Sequence, residues 1–310
     1  MTTSGEAKTP ARITGTFLDE ITHDIPTQNW GPAEWAADFD AMKAIGIDTV
    51  ILIRAGYREM ATFDSRVLRE RMGILPVRED LVDLFLREAE RCGMAFYFGT
   101  YDSGRHWVSG DYAKEVEVNQ AFCDEVIERY GSRPAFQGWY ISHEINAFDE
   151  GMMKVYERLS AHLRGLKRLP ILISPYIKGV KQFAGEALSL DQHVREWDQA
   201  FARLQGHVDI VAFQDGNVSF QDLPRYLAAN RELAVKRGIR CWSNVESFDR
   251  DMPIKFPPLD IRRLRYKVER AAEIGAEKLI TFEFSHFMSP HSIYPAAHGL
   301  YRRYREWQGL

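Results

Sequence analysis

The stretch KAIGIDTVILIR, residues 43–54, changes periodicity partway along and so sets the reading of the whole chain. It closes an amphipathic helical segment, AEWAADFDAMKAIG (33–46), with a glycine, and then becomes DTVILIR (48–54), an unbroken apolar run ending in an arginine. A glycine just past the last helical apolar residue is what a left-handed C-cap needs. A short run of β-branched and aliphatic residues without alternation reads as a strand buried on both faces, as in a parallel sheet. The same joint recurs as RCGMA (91–95), KRGIR (236–240) and EIGAE (273–277).

Working outward, the strand candidates are ITGTFLD (13–19), DTVILIR (48–54), MAFYFGTY (94–101), AFQGWYIS (135–142), PILISPY (170–176), DIVAFQD (209–215), RCWSNVES (240–247) and KLITFEF (278–284). Each is followed by a helical pattern, the last being YPAAHGLYRRYREW (294–307). Alternating strands and helices mean βαβ units and a parallel sheet. Eight such units predict a single-domain α/β protein, a (β/α)8 TIM barrel over 13–310, behind a flexible N-terminal arm, 1–12. An open doubly wound sheet is disfavoured by the count and by the lack of GxGxxG after the first strand. Insertions at 55–78, 102–112 and 247–259 follow strands, so they decorate one face.

Composition narrows the partners. A formal net charge of -4 leaves no basic footprint for nucleic acid and no polybasic membrane patch. No run approaches the ~18 apolar residues of a membrane span. The opening MTTSGEAKTPAR lacks the apolar core of a signal peptide, so a cytoplasmic location is expected. Three widely spaced cysteines, Cys92, Cys123 and Cys241, suggest neither a disulfide framework nor a cysteine metal site. Small molecules are the expected partners, and no cofactor is called for.

In a barrel the functional groups come from the carboxyl ends of the strands. Here those ends are polar throughout: Asp19, Glu20, His23 and Asp24; Arg54; Tyr101, Asp102 and Trp107; His143, Glu144 and Asn146; Ser174 and Tyr176; Gln214, Asp215 and Asn217; Trp242, Asn244 and Glu246; Glu283 and His286. Any one of these can be a helix cap, the better reading for Asp102, Asp215 or Asp249 taken singly. Eight polar ends on one rim point instead to a site. Four glutamates there would raise one another's pKa values unless Arg54 or a cation offsets them.

Breaking a glycosidic bond takes one carboxylic acid to protonate the leaving oxygen and one carboxylate to attack the anomeric carbon or activate water. Glu144 in GWYISHEIN (138–146) and Glu246 in WSNVESF (242–248) sit at the ends of the fourth and seventh strands, facing each other across the barrel mouth. This layout resembles the clan of retaining barrel glycosidases, which implies Glu144 as acid/base, Glu246 as nucleophile and Arg54 beside the nucleophile. GTFLDE (15–20), GWYISHEIN, FQDG (213–216) and WSNVESF also resemble an uncharacterised barrel family, catalogued as a domain of unknown function and labelled glycosyl hydrolases; that likeness covers most of 13–305. Where the clan has Asn before its acid/base, this chain has His143.

A carbohydrate substrate would be held by Asp19, Glu20, Arg54, Tyr101, Trp107, His143, Asn146, Tyr176, Gln214, Asp215, Trp242, Asn244 and Glu283, with the aromatics as platforms for sugar faces. Two other readings compete. A divalent-metal sugar isomerase or epimerase would draw ligands from Glu144, Asp215, Glu246, Glu283, His106, His143 and His286, although no HxH or HExxH spacing is present. A non-catalytic carbohydrate-binding barrel would keep the aromatics without the chemistry.

Overall fold

A computed structural model describes residues 10–23, 25–251 and 256–310. Most of the expected N-terminal arm, Asp24 and the centre of the 247–259 insertion lie outside the described residues. The arm's last residues are not free: Gln308 Nε2 donates to Ala11 O at 2.9 Å, and Arg12 Nε donates to Gln308 Oε1.

All eight strands form where the sequence places them. They are β1 (Gly15–Leu18), β2 (Thr49–Leu52), β3 (Ala95–Gly99), β4 (Phe136–Tyr140), β5 (Ile171–Ile173), β6 (Ile210–Gln214), β7 (Arg240–Asn244) and β8 (Leu279–Thr281). Each pairs in parallel with its sequence neighbour, and β1 pairs with β8 to close the barrel. Eight long helices ring it: α1 (Pro32–Ala44), α2 (Leu81–Cys92), α3 (Tyr112–Tyr130), α4 (Glu150–Leu166), α5 (Leu190–Leu204), α6 (Leu223–Lys236), α7 (Ile261–Glu273) and α8 (Pro295–Gln308). The chain is a (β/α)8 TIM barrel. No described helix is long and apolar enough to cross a membrane.

The four joint glycines earn their place. Gly46, Gly93, Gly238 and Gly275 take φ of 91°, 72°, 68° and 75°, the left-handed region that a side chain resists. Strand parity then divides the core. Phe17, Ile51, Tyr97, Tyr140, Leu172, Ala212, Trp242 and Ile280 fill the barrel interior, while the residues between them pack outward beneath the helices. Trp139 faces outward, its Nε1 donating to Lys167 O at 3.1 Å, and Tyr140 faces inward.

Above the barrel, the insertion after β2 folds back as strand Gly56–Tyr57, pairing with Met60–Ala61 and with Tyr101–Asp102 from the loop after β3. This three-stranded sheet ties two rim loops together.

Candidate active site

The fourth strand's end is set by a local clamp. Ser142 N donates to Thr100 Oγ1 at 3.0 Å and Ser142 Oγ donates to Thr100 O at 2.9 Å, fixing the backbone just before Glu144. By parity Tyr140, Ser142 and Glu144 share the inner face. The Tyr140 hydroxyl donates to Glu144 Oε1 at 3.3 Å, and Arg54 Nη2 lies 3.6 Å from Glu144 Oε2. Arg54 is buried between two carboxylates, its Nε 3.3 Å from Asp102. Burial opposes its charge, but Glu144 and Asp102 outweigh that and hold its pKa above the ordinary value.

Glu246 is held differently. Its side chain is 1% exposed, and Arg250 binds it bidentately, Nη2 to Oε1 at 2.8 Å and Nε to Oε2 at 3.0 Å. Gly216 leaves the space: a Cβ there would lie 1.5 Å from Glu246 Oε2. Beneath, Asp215 Oδ1 accepts from Glu246 N at 3.0 Å, and Lys267 Nζ donates to Glu246 O at 2.7 Å while standing 2.6 Å from Asp215. Burial, with the charge of Glu246, pushes the Asp215 carboxyl up to about 6 despite Lys267.

Glu144 and Glu246 line one cavity of about 250 Å³ at the barrel mouth. Of the expected site residues the structure brings Asp19, Arg54, Trp107, Gln214 and Asn244 to that cavity with them. It also places Thr22, His23, Tyr57, Asp102, Phe248, Arg250, Phe256 and Phe282 there, none of which the sequence reading assigned to the substrate. Arg250 lies in the loop beyond β7, so its direction toward Glu246 is fixed by that loop and not by a strand or helix period.

Eight expected contacts do not line the cavity. Glu20 accepts from Gln28 N at 3.1 Å and Asn29 N at 3.2 Å, shaping the loop after β1. Tyr101 is packed under Gly56 and donates to Arg58 O at 2.8 Å. Asn146 donates to the Tyr176 hydroxyl at 2.9 Å, and Tyr176 stacks on Phe183. Asp215 clamps the backbone of Glu246, as above. Trp242 lies deeper, in the barrel interior against Tyr97. Glu283 is buried and caps the short helix Phe284–Phe287, pairing with His286 Nδ1 at 2.6 Å.

His143, the eighth, faces outward to α3. Its Nε2 is 2.7 Å from Glu115 Oε1, both side chains fully buried, and its ring meets Trp107 edge to face. Burial alone would lower the imidazole pKa, yet the hydrogen bond and charge of Glu115, with Asp102 near, raise it. Burial likewise favours the neutral acid in Glu115, and His143 with Ser103 reverses that and lowers its pKa. Asp102, also buried, is drawn down by His143 and Arg54 and by the Trp107 Nε1 donor at 2.7 Å. A row of paired polar groups, Glu115, His143, Asp102 and Arg54, thus runs from α3 to Glu144 at the cavity.

Among the described residues, Asp102, Glu115 and His143 form the one cluster whose ligand atoms lie within 4.8 Å of one another. The Asp102 and Glu115 oxygens already accept from Arg54, Trp107, Gly104 N, Ser103 N and His143, a guanidinium stands alongside, and the buried His143 Nδ1 has no partner among the described residues. Such a donor set does not fit a cation. The other expected ligands do not converge: Glu144 and Glu246 sit on arginines, and Glu283 pairs with His286.

The chain belongs to the family described as a domain of unknown function (DUF4434), whose model matches residues 13–294. It is similar to a solved structure from Bacteroides thetaiotaomicron VPI-5482, named a "putative alpha-L-fucosidase", with 46% identity over 100% of this chain and 99% of that one and a TM-score of 0.94. It shares its fold with the endo-1,4-beta-D-mannanase of Thermotoga petrophila RKU-1, 11% identical over 88% of each chain, TM-score 0.58. The same holds for a beta-D-glucuronidase of Dictyoglomus thermophilum, 15% identical over 96% of this chain and 50% of that one, TM-score 0.54. None of the curated proteins matches it.

Proposed function

We propose that the protein is a glycoside hydrolase, with Glu144 as acid/base and Glu246 as nucleophile. The observation that carries this reading is that carboxylates from the ends of β4 and β7 line one small cavity, each on its own arginine. Arg250 pairs with Glu246 while occupying only one lone pair on each oxygen, so attack on an anomeric carbon remains open. Glu144, about one fifth exposed, is placed to give a proton to the leaving oxygen and later take one from water. This is the retaining course, in which the bond to the leaving sugar breaks as the bond to Glu246 forms.

A volume of about 250 Å³ falls below the ~300–1,000 Å³ of pockets for drug-sized ligands, and suits one sugar ring. Phe17, Phe248, Phe256 and Phe282 give that ring an apolar wall, and Asp19, Gln214 and Asn244 offer hydrogen bonds. Release of a single terminal sugar follows. The apolar wall suits a deoxysugar, so an aryl α-L-fucoside belongs in the test, as the name of the 46% identical protein also suggests. A panel of 4-nitrophenyl glycosides, read by nitrophenol release, should show one hydrolysed sugar. Glu246→Gln should abolish that turnover in a folded protein. Glu144→Gln should spare dinitrophenyl leaving groups, which need no proton, far more than sugar leaving groups. Unchanged turnover in Glu246→Gln sinks the nucleophile assignment.

A further inference from the structure

Beside the catalytic cavity lies a larger groove of about 880 Å³, between the loop after β1 and the insertion after β2. Those two segments also border the catalytic cavity, and Thr22 lines both spaces. We propose that this groove binds the leaving-group saccharide, so that the substrate is an oligosaccharide gripped on both sides of the bond that breaks. The inference rests on the glycosidase reading above.

The connection is through Thr22. Its hydroxyl accepts from Arg54 Nη1 at 3.4 Å, and the same guanidinium reaches Glu144 at 3.6 Å. Thr22 thus joins the groove to the cavity beside the arginine that holds Glu144, the residue that protonates the leaving group. The lining has sugar-binding chemistry. Trp30 is half-buried and pinned by a T-shaped contact with Trp35 at 5.0 Å, and the exposed Asn29 stands next to it. The Arg78 and Glu79 side chains also line the groove and have no hydrogen-bond or ion-pair partner among the described residues. In a chain where most such groups are paired, two adjacent unpaired ones beside an ordered indole supply donors and acceptors for sugar hydroxyls. Glu20 accounts for the shape, because its carboxylate holds Gln28 and Asn29 in the turn that presents Trp30.

The test compares substrates sharing one terminal sugar, that sugar being fixed by the nitrophenyl panel: its glycosyl fluoride, whose leaving group is too small to reach the groove, and a trisaccharide. In Trp30→Ala and in Arg78→Ala, kcat/KM for the trisaccharide should fall about tenfold through KM, with glycosyl fluoride turnover unchanged. Equal losses on both substrates, or none on the trisaccharide, overturn the proposal. If the wild-type protein hydrolyses nothing in the panel, it is the glycosidase reading that fails. The groove is then judged by calorimetric titration with fucosyllactose, mannotriose and xylotriose. Binding of one of these weakened about tenfold by Trp30→Ala supports a saccharide groove, and no binding or equal binding overturns it.

Discussion

The buried Glu115 and His143 pair offers a measurement whose size and pH dependence both follow from the structure. The two side chains are fully buried and 2.7 Å apart, so removing either leaves an uncompensated charge in the wall behind the barrel-mouth cavity. Breaking such a pair costs about 3–5 kcal/mol, so Glu115→Gln and His143→Gln should each destabilise by that order. The double variant should cost less than the sum, leaving a coupling energy of about 2–3 kcal/mol. The pH window follows from the directions of the two shifts. Glu115 has a folded pKa below its ordinary 4.5, so its contribution is complete above that value and is lost as pH falls through the folded one. His143 has a folded pKa above its ordinary 6.5, so its contribution is complete below 6.5 and is lost as pH rises through the folded one. The coupling should therefore be greatest between 4.5 and 6.5 and decline on both sides. Urea denaturation of the four proteins across that range and above it reads this directly. Additive single-variant losses inside the window, or a coupling that grows as pH rises past 6.5, would refute a charged pair.

Three further outcomes can be checked together. Gly216→Ala puts a Cβ where Glu246 Oε2 lies, so kcat/KM should drop about 10²-fold with a loss of stability of ~1–3 kcal/mol, read by steady-state kinetics and thermal melting. Arg250→Lys replaces a two-pronged donor by a single ammonium, and kcat should fall roughly ten- to hundredfold while the melting temperature barely moves. Gly138→Ala drives a methyl to 2.2 Å from the Tyr97 ring inside the barrel and should cost ~1–3 kcal/mol, with Tyr97→Leu in the same chain recovering part of it in urea titrations.

Much of the fold was readable because it rests on short-range chemistry. Four glycines that close helices and eight apolar runs set the repeat, and closure followed from the count. The site was harder, and strand parity explains much of the difference. In β7, Trp242, Asn244 and Glu246 lie on one face at successive depths, so Trp242 fills the interior while the other two reach the cavity. Glu20, His143, Asp215 and Glu283 sit at the opposite parity from Asp19, Glu144, Gln214 and Phe282, and none of the four lines the cavity. That signal was in the sequence. Tyr101 was not legible in this way, because β3 ends at Gly99 and the chain leaves the barrel register for the small rim sheet. Arg250 also comes from beyond a strand, where no periodicity fixes a side chain's direction.

The rim sheet has a consequence for how this scaffold can change. The loops of a (β/α)8 barrel ordinarily vary one at a time, which lets the fold take on new substrates piecemeal. Here the ladder between Gly56–Tyr57 and Tyr101–Asp102 makes the loops after β2 and β3 a single inherited unit. Lengthening one shifts the backbone carrying Asp102 or Tyr57, and with it the setting of Arg54. Transplanting substrate preference between relatives of this chain should therefore require moving both loops together.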